Sequence, residues 1–203
     1  MKGTPIFEEV FMVLLRQPGI RIKLIIGGLL SFIPGINIFA FGYLYRFSRR
    51  VRKSGEINLA DWSDWKGLFK DGLRFAVVWL CYWLLPLLVV LGVSSLLACL
   101  GLGALAYILF SAAFLIAPIL FASALYRYLM RSDFKDLLDI SLIIKMTYLE
   151  FPRFLLPSIA FSGICILLLP LYGLALFFAF LMLIAFTGLC YRRLEYQDSA
   201  SGF

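Results

Sequence analysis

Three long stretches of this 203-residue chain contain no Asp, Glu, Lys or Arg. They cover residues 24–45, 75–126 and 154–191, and every charged side chain falls in the four blocks that flank them. A charge at the centre of a bilayer costs about 2.5–3.5 kcal/mol on the mildest scale, so long uncharged stretches are typical of segments buried in lipid. Because 63% of the residues are apolar and only 15% are charged, an ordinary soluble enzyme and a disordered tail are excluded. The sequence predicts an all-α integral membrane protein.

The lengths of the stretches predict how often each crosses a membrane. A helix rises about 1.5 Å per residue, and the hydrocarbon layer is about 30 Å thick. The second stretch, 75–126, is about 78 Å of helix, which predicts two long central spans with a turn between Ser94 and Gly103. The third stretch, 154–191, is slightly short for two full crossings, and Pro170 marks its midpoint. It is expected to form a short helical hairpin.

The first stretch, 24–45, is long enough for one crossing but carries Pro34-Gly35 at its centre, where both residues weaken a helix. Basic residues flank all three stretches at both ends, and Lys and Arg near span ends favour the cytoplasmic side. With all four charged blocks in the cytoplasm, the first stretch becomes a re-entrant hairpin about half a bilayer deep, packed against the second stretch. The alternative is a kinked single crossing, which would leave the N-terminal block outside.

An amphipathic segment precedes each stretch, near residues 5–15, 59–73 and 132–148. Such segments form helices that lie at the membrane surface, and Trp62 and Trp65 of the second are expected to be interfacial anchors. Each stretch also ends in a Tyr-Arg pair, which is compatible with an internal repeat and with ordinary interfacial anchoring. No linker divides the chain, so residues 1–203 are treated as a single membrane domain.

The chain offers few residues for chemistry. It contains no histidine, which is the commonest general base and metal ligand. The four cysteines all lie in uncharged stretches without CxxC spacing, and no glycine-rich nucleotide loop is present. We therefore expect no catalytic residue, no metal site and no cofactor, and the protein is predicted not to be an enzyme.

The helix break in the first stretch is one candidate site. Ser31 and Asn37 are polar residues that flank Pro34 and Gly35 inside this apolar segment. Transporters use the free backbone groups of broken helices to contact substrate, so the four residues could line a permeation path. The alternative is that Ser31 and Asn37 cap the broken backbone of the hairpin itself.

The densest basic cluster is the second candidate site, and it consists of Arg46, Arg49, Arg50, Arg52 and Lys53. Each cation near a membrane surface contributes about 1 kcal/mol of attraction to anionic lipid headgroups. The cluster is therefore expected to contact anionic lipids on the cytoplasmic face, or only to anchor the topology. Nucleic acid is not an expected partner, because no aromatic stacking platform accompanies the cluster.

The sequence from residue 26 to residue 73 resembles the family known as domain of unknown function 4013. The motifs that carry the resemblance are IGGLLSFIPGIN from Ile26, Gly42-Tyr43, Arg49-Arg50, DWSDW from Asp61 and LFKDGL from Leu68. These uncharacterised proteins are integral membrane proteins of bacteria and archaea. The resemblance thus implies residence in a prokaryotic membrane, which we expect to be the inner (cytoplasmic) membrane, and it implies no activity.

Two functional hypotheses follow from these features. The first is a non-catalytic membrane protein that organises lipid or serves as an accessory subunit, with a membrane-protein partner or a second copy of the chain. The second is a permease for a small solute, anion or lipid, with its path near Pro34–Asn37.

Overall fold

The described part of the chain, residues 6–131 and 133–201 of a computed structural model, consists of helices and turns without a strand. Three helical segments are long and apolar enough to cross a membrane, namely Trp65–Cys99, Gly103–Met130 and Leu169–Glu195. A fourth crossing results if Ile140–Leu149 and Phe151–Leu167, which meet at a bend of 89°, form one broken span. The protein is therefore an all-α membrane protein, as its uncharged stretches predict.

The α-helices of the described residues are α1 Phe7–Leu15, α2 Ile20–Phe32, α3 Asn37–Ser54, α4 Trp65–Trp79, α5 Leu85–Cys99, α6 Gly103–Arg131, α7 Ile140–Leu167 and α8 Tyr172–Ser201. A π turn at Leu80–Leu84 joins α4 to α5 directly before Pro86, whose ring displaces the carbonyl of the preceding turn. Two 3-10 turns, Phe134–Leu138 and Leu169–Leu171, precede α7 and α8.

The chain divides into two compact units. The first takes in residues up to Ala76 and from Gly163 onward, and the second is Val77–Ser162. In the second unit, α5 and α6 are joined by a turn at residues 100–102, inside the predicted interval, where Gly101 adopts φ +82°. Two hydroxyls link α6 to α7, because Thr147 donates to Ser123 at 3.0 Å and Ser158 donates to the carbonyl of Leu115.

In the first unit, α2 and α3 form a helical hairpin that packs along α8. Glycines on α2 permit the close approach, since a Cβ on Gly28 would lie 3.0 Å from Leu174 of α8. The hydroxyl of Tyr172 donates to the carbonyl of Phe32 at 2.5 Å at the hairpin tip. The main partner of the hairpin is therefore the third stretch. The second stretch, which is the predicted partner, contributes Phe75, whose ring lies 5.1 Å from that of Phe41.

The hairpin follows α8 over much of its length. Its tip lies beside Tyr172 at the start of α8, and Val51 near its other end lies 3.1 Å from a Cβ placed on Gly188. Residues 172 and 188 are about 24 Å apart along a helix, which is most of a hydrocarbon layer of about 30 Å.

The helices at the predicted surface segments begin at residues other than those predicted, and the second continues into the candidate span Trp65–Cys99. The second begins at Trp65, not near residue 59, because the Asp64 carboxylate accepts the N–H of Gly67 at 3.2 Å and caps the helix there. The third is divided, because Asp139 accepts the N–H of Leu142 at 3.3 Å and starts α7 after a separate 3-10 turn. The first predicted segment starts at residue 5 and the third at Ser132, and both of these starts lie outside the described residues. The first ends at Leu15 as predicted.

Candidate functional site: the base of the hairpin

The helix break at the hairpin tip is a closed turn. Gly35 adopts φ +87°, a left-handed conformation that favours glycine, and its N–H donates to the side-chain oxygen of Asn37 at 3.2 Å. The N–H of Asn37 donates to the carbonyl of Ile33 at 3.0 Å, and the hydroxyl of Ser31 donates to the carbonyl of Gly27 at 2.7 Å. Asn37 therefore bonds to the backbone of the turn, whereas Ser31 bonds to the backbone of its own helix one turn before the break.

At the opposite end of the hairpin, both helices contact one carboxylate. Nζ of Lys23 on α2 lies 3.0 Å from Oδ1 of Asp61, and a terminal nitrogen of Arg50 on α3 lies 3.9 Å from Oδ2. Arg50 also donates to the carbonyl of Leu59 at 2.7 Å. Lys23 precedes the first stretch and Arg50 follows its end, so the two flanks of this part of the chain lie side by side. The chain from α2 to α3 is therefore folded back on itself as a helical hairpin.

Arg46 binds the segment that leads into α4. Its Nε donates to Asp71 at 2.9 Å, and its two terminal nitrogens donate to the carbonyl of Ser63 and the carboxylate of Asp64, both at 2.9 Å. All three nitrogens of the guanidinium are thus engaged. Arg46 therefore fastens α3 to the start of α4 rather than presenting its charge to a ligand.

The ion pairs keep these carboxylates charged. The hydrogen bond from Lys23 lowers the pKa of Asp61, and the N–H of Gly67, followed by Arg46, lowers the pKa of Asp64. Partial burial of Arg46 lowers the pKa of its guanidinium. The hydrogen bonds to Asp71 and Asp64 outweigh this effect, so the pKa is raised. The network therefore persists through the neutral pH range.

A groove of about 480 Å³ opens beside this network along α3. Its lining residues are Arg46, Arg49, Arg50, Lys53, Ser54 and Asn58. The four cations follow helical spacing, so they form one basic stripe. The helix stops at the end of the stripe because Gly55 adopts φ +71° and its N–H bonds to the carbonyl of Val51 at 2.9 Å.

Arg49 and Lys53 are the cations of the groove whose charges are free. Both side chains are exposed, and no hydrogen bond or ion pair to another described residue engages either of them. They lie four residues apart, so their Cβ atoms are about 5–6 Å from each other on the same helix face. A guanidinium and an ammonium at this spacing can hold one phosphate-like anion between them.

The structure thus separates the five cations of the predicted lipid-binding cluster. Arg49, Arg50 and Lys53 present donors to the groove, whereas Arg46 is engaged as described above. Arg52 does not line the groove, and a terminal nitrogen of its guanidinium lies 3.6 Å from Glu195 of α8. Of the five predicted cations, Arg46 and Arg52 are therefore held by carboxylates, whereas Arg49, Arg50 and Lys53 are exposed at the groove.

The two predicted interfacial anchors have different surroundings. The ring of Trp62 stacks on Tyr43 with centroids 4.4 Å apart, and its Nε1 is buried without a hydrogen-bond partner among the described residues. Trp65 is 49% exposed at the first residue of α4, with its ring 5.5 Å from Phe39. Of the two, Trp65 has the exposure that an interfacial anchor needs.

Sequence reasoning missed the acidic half of this site. Asp61, Asp64 and Asp71 hold three of the flanking cations, and Asn58 lines the groove. The signal was present in the sequence, because an acidic segment follows directly after the basic cluster. Opposite charges on consecutive segments of a short loop are often paired, but the choice of partner depends on how the loop folds back.

The comparisons with known proteins identify a family and no activity. A family model described as "Protein of unknown function (DUF4013)" matches residues 26–193, well beyond the segment 26–73 that carries the recognisable motifs. Searches of curated proteins and of solved structures return no match.

Proposed function

The chain belongs to the DUF4013 family, whose description assigns no activity, and we propose from the groove that it is a non-catalytic membrane protein that organises anionic lipid. The headgroup binds along the basic stripe of α3, and the hairpin lies beside its acyl chains. The observation that carries this proposal is the pair of free cations, Arg49 and Lys53, in a groove of about 480 Å³.

The surroundings of the groove fit a headgroup site. The hairpin leads from apolar residues at its tip to the basic stripe at its base, so a lipid beside it would meet the cations at headgroup level. The excess of Lys and Arg at the flanks favours the cytoplasmic face of a prokaryotic inner membrane. The absence of histidine from the sequence also favours binding over catalysis.

Replacing Arg49 and Lys53 together by glutamine is expected to weaken the binding of anionic lipid about 30-fold. The reason is that each cation contributes about 1 kcal/mol at a membrane surface, and about 1.4 kcal/mol corresponds to a factor of ten. The measurement is the affinity of detergent-purified protein for mixed micelles that contain phosphatidylglycerol, with phosphatidylcholine as the neutral reference.

The matched control is the double replacement of Arg16 and Arg21 by glutamine. These two residues are also exposed cations with no partner among the described residues, and they lie outside the groove. The control removes the same charge and should leave the affinity within about twofold, because neither residue lines the groove. Equal losses in the two double variants would show that net charge, not the groove, attracts the lipid.

A further inference from the structure

We propose that the groove on α3 selects a phosphomonoester, which carries up to two negative charges, over a phosphodiester, which carries one. This proposal rests on the lipid-binding function proposed above and specifies the chemistry of the bound group. The ligand is therefore a lipid whose headgroup ends in phosphate, or a soluble compound that ends in the same group.

The groove carries positive charge that the neighbouring carboxylates do not neutralise. Four cations line it, but Arg46 is neutralised by the carboxylates of Asp64 and Asp71, each at 2.9 Å. Arg50 shares the carboxylate of Asp61 with Lys23. Among the described residues, the charges of Arg49 and Lys53 remain uncompensated, which leaves two positive charges on one turn of helix.

A phosphomonoester matches this charge, because its second pKa is near 6 and it carries about −1.5 to −2 at pH 7. A phosphodiester has lost one of its ionisable oxygens to the second ester bond and keeps a single charge. The monoester therefore leaves no excess charge in the groove, whereas the diester leaves one cation unsatisfied. The difference in attraction acts over a short distance, where Coulomb interactions are strongest.

The number of hydrogen-bond donors in the groove also favours a phosphomonoester. A phosphomonoester has three terminal oxygens, and Arg49 and Lys53 can approach it from one helix face. Arg50 supplies a third set of donors, because its terminal nitrogen lies 3.9 Å from Asp61, beyond ordinary hydrogen-bonding distance. Arg50 can therefore bind a phosphate oxygen without breaking a hydrogen bond to that carboxylate.

The experiment compares phosphatidic acid with phosphatidylglycerol in mixed micelles between pH 5 and pH 7.5. The protein contains no histidine, so none of its side chains has an ordinary pKa inside this interval. The other charged groups around the groove are Asp61, Asp64, Asp71, Glu56, Lys23 and Arg192, and all of these types keep their charge there. A change in affinity across the interval therefore reports the second ionisation of the phosphate.

We expect the affinity for phosphatidic acid to rise about tenfold from pH 5 to pH 7.5 while the affinity for phosphatidylglycerol stays constant. At pH 7.5 phosphatidic acid should bind about tenfold more tightly than phosphatidylglycerol. Both differences should disappear when Arg49 and Lys53 are replaced by glutamine, and they should persist when Arg16 and Arg21 are replaced. If the affinity for phosphatidic acid still rose with pH in the variant that lacks Arg49 and Lys53, the proposal would be overturned.

Competition distinguishes the two sources of the phosphate. If glycerol 3-phosphate displaces phosphatidic acid at a comparable concentration, the groove recognises the phosphate group alone and a soluble monoester is a ligand. If it fails to compete, the monoester must be carried by a lipid. Equal affinities for phosphatidic acid and phosphatidylglycerol, both above that for phosphatidylcholine, would refute the monoester selectivity and leave the lipid-binding function intact. Equal affinities for all three would refute both.

Discussion

Replacement of Gly42 by alanine is expected to destabilise the protein by about 3 kcal/mol, at the upper end of the usual cost of overpacking. A Cβ at this position would overlap the carbonyl oxygen of Leu68 and lie 2.7 Å from its carbonyl carbon, so α3 and the first turns of α4 touch through their backbones. A backbone atom cannot rotate aside, so the helices must separate. Thermal unfolding in detergent, followed by tryptophan fluorescence, should show a midpoint lower by about 6–12 °C.

Gly72 repeats this contact from the other helix, because a Cβ there would overlap the carbonyl oxygen of Ile38. Its replacement by alanine should cost about as much as that of Gly42. The matched control is Gly92→Ala on α5, where a Cβ would meet no atom within 4 Å. Because alanine favours a helix over glycine, the control should be neutral or stabilising by up to about 1 kcal/mol. If Gly42→Ala and Gly92→Ala unfolded at the same temperature, the close approach of α3 and α4 would be wrong.

The replacement Arg46→Gln is expected to cost about 3 kcal/mol, because it removes four hydrogen bonds and one of the two guanidinium groups that pair with Asp71. The side chain of Asp71 is only 17% exposed, and that of Arg46 is 20% exposed. Because neither side chain is fully buried, the expected loss of stability lies at the lower end of the range for broken buried ion pairs. Arg46→Lys should lie between the wild type and Arg46→Gln, since an ammonium keeps the charge but cannot reach three acceptors in a plane.

Arg74→Gln is the control for the Arg46 variants. Arg74 contacts the same aspartate at 3.5 Å but is 35% exposed, so its loss should cost less than about 1 kcal/mol. If Arg46→Gln and Arg74→Gln lowered the free energy of unfolding equally, any cation near Asp71 would stabilise the fold as well as Arg46 does.

The pH dependence of the Arg46 contact follows from the direction of the carboxyl shifts. The N–H of Gly67 and, after it, the Arg46 guanidinium lower the pKa of Asp64 in the folded protein, so the stabilisation from the Arg46–Asp64 pair is present above the ordinary carboxyl pKa of about 4. It is lost as the pH falls through the lowered value. The unfolding temperatures of the wild type and Arg46→Gln should therefore converge in acid.

Charge distribution was enough to predict the helical class and much of the chain path. The turn near Gly101 followed from small residues in the middle of a stretch too long for one crossing, and the turn at Pro34-Gly35 followed from two helix-weakening residues. These predictions succeeded because each depends on residues close together in the sequence.

The contacts that build the site depend on residues far apart in the sequence. Nothing local indicates that α2 packs on α8, because the glycines of α2 show that something approaches closely but not which helix it is. The start of α4 was misplaced because Trp62 fits the helical period of residues 59–73, while Asp64 caps the helix two residues later. The basic cluster is likewise evident in the sequence. Which of its cations pair with a carboxylate depends on where the acidic segment folds.

The most direct test of this account is the position of the two flanks of the hairpin relative to the membrane. Single cysteines at Arg21 and at Ser54, in a background without Cys81, Cys99, Cys165 and Cys190, would be treated with a membrane-impermeant maleimide. We predict that neither cysteine is labelled in intact cells and that both are labelled after permeabilisation. Labelling of one position but not the other in intact cells would place the flanks on opposite sides of the membrane and contradict the hairpin.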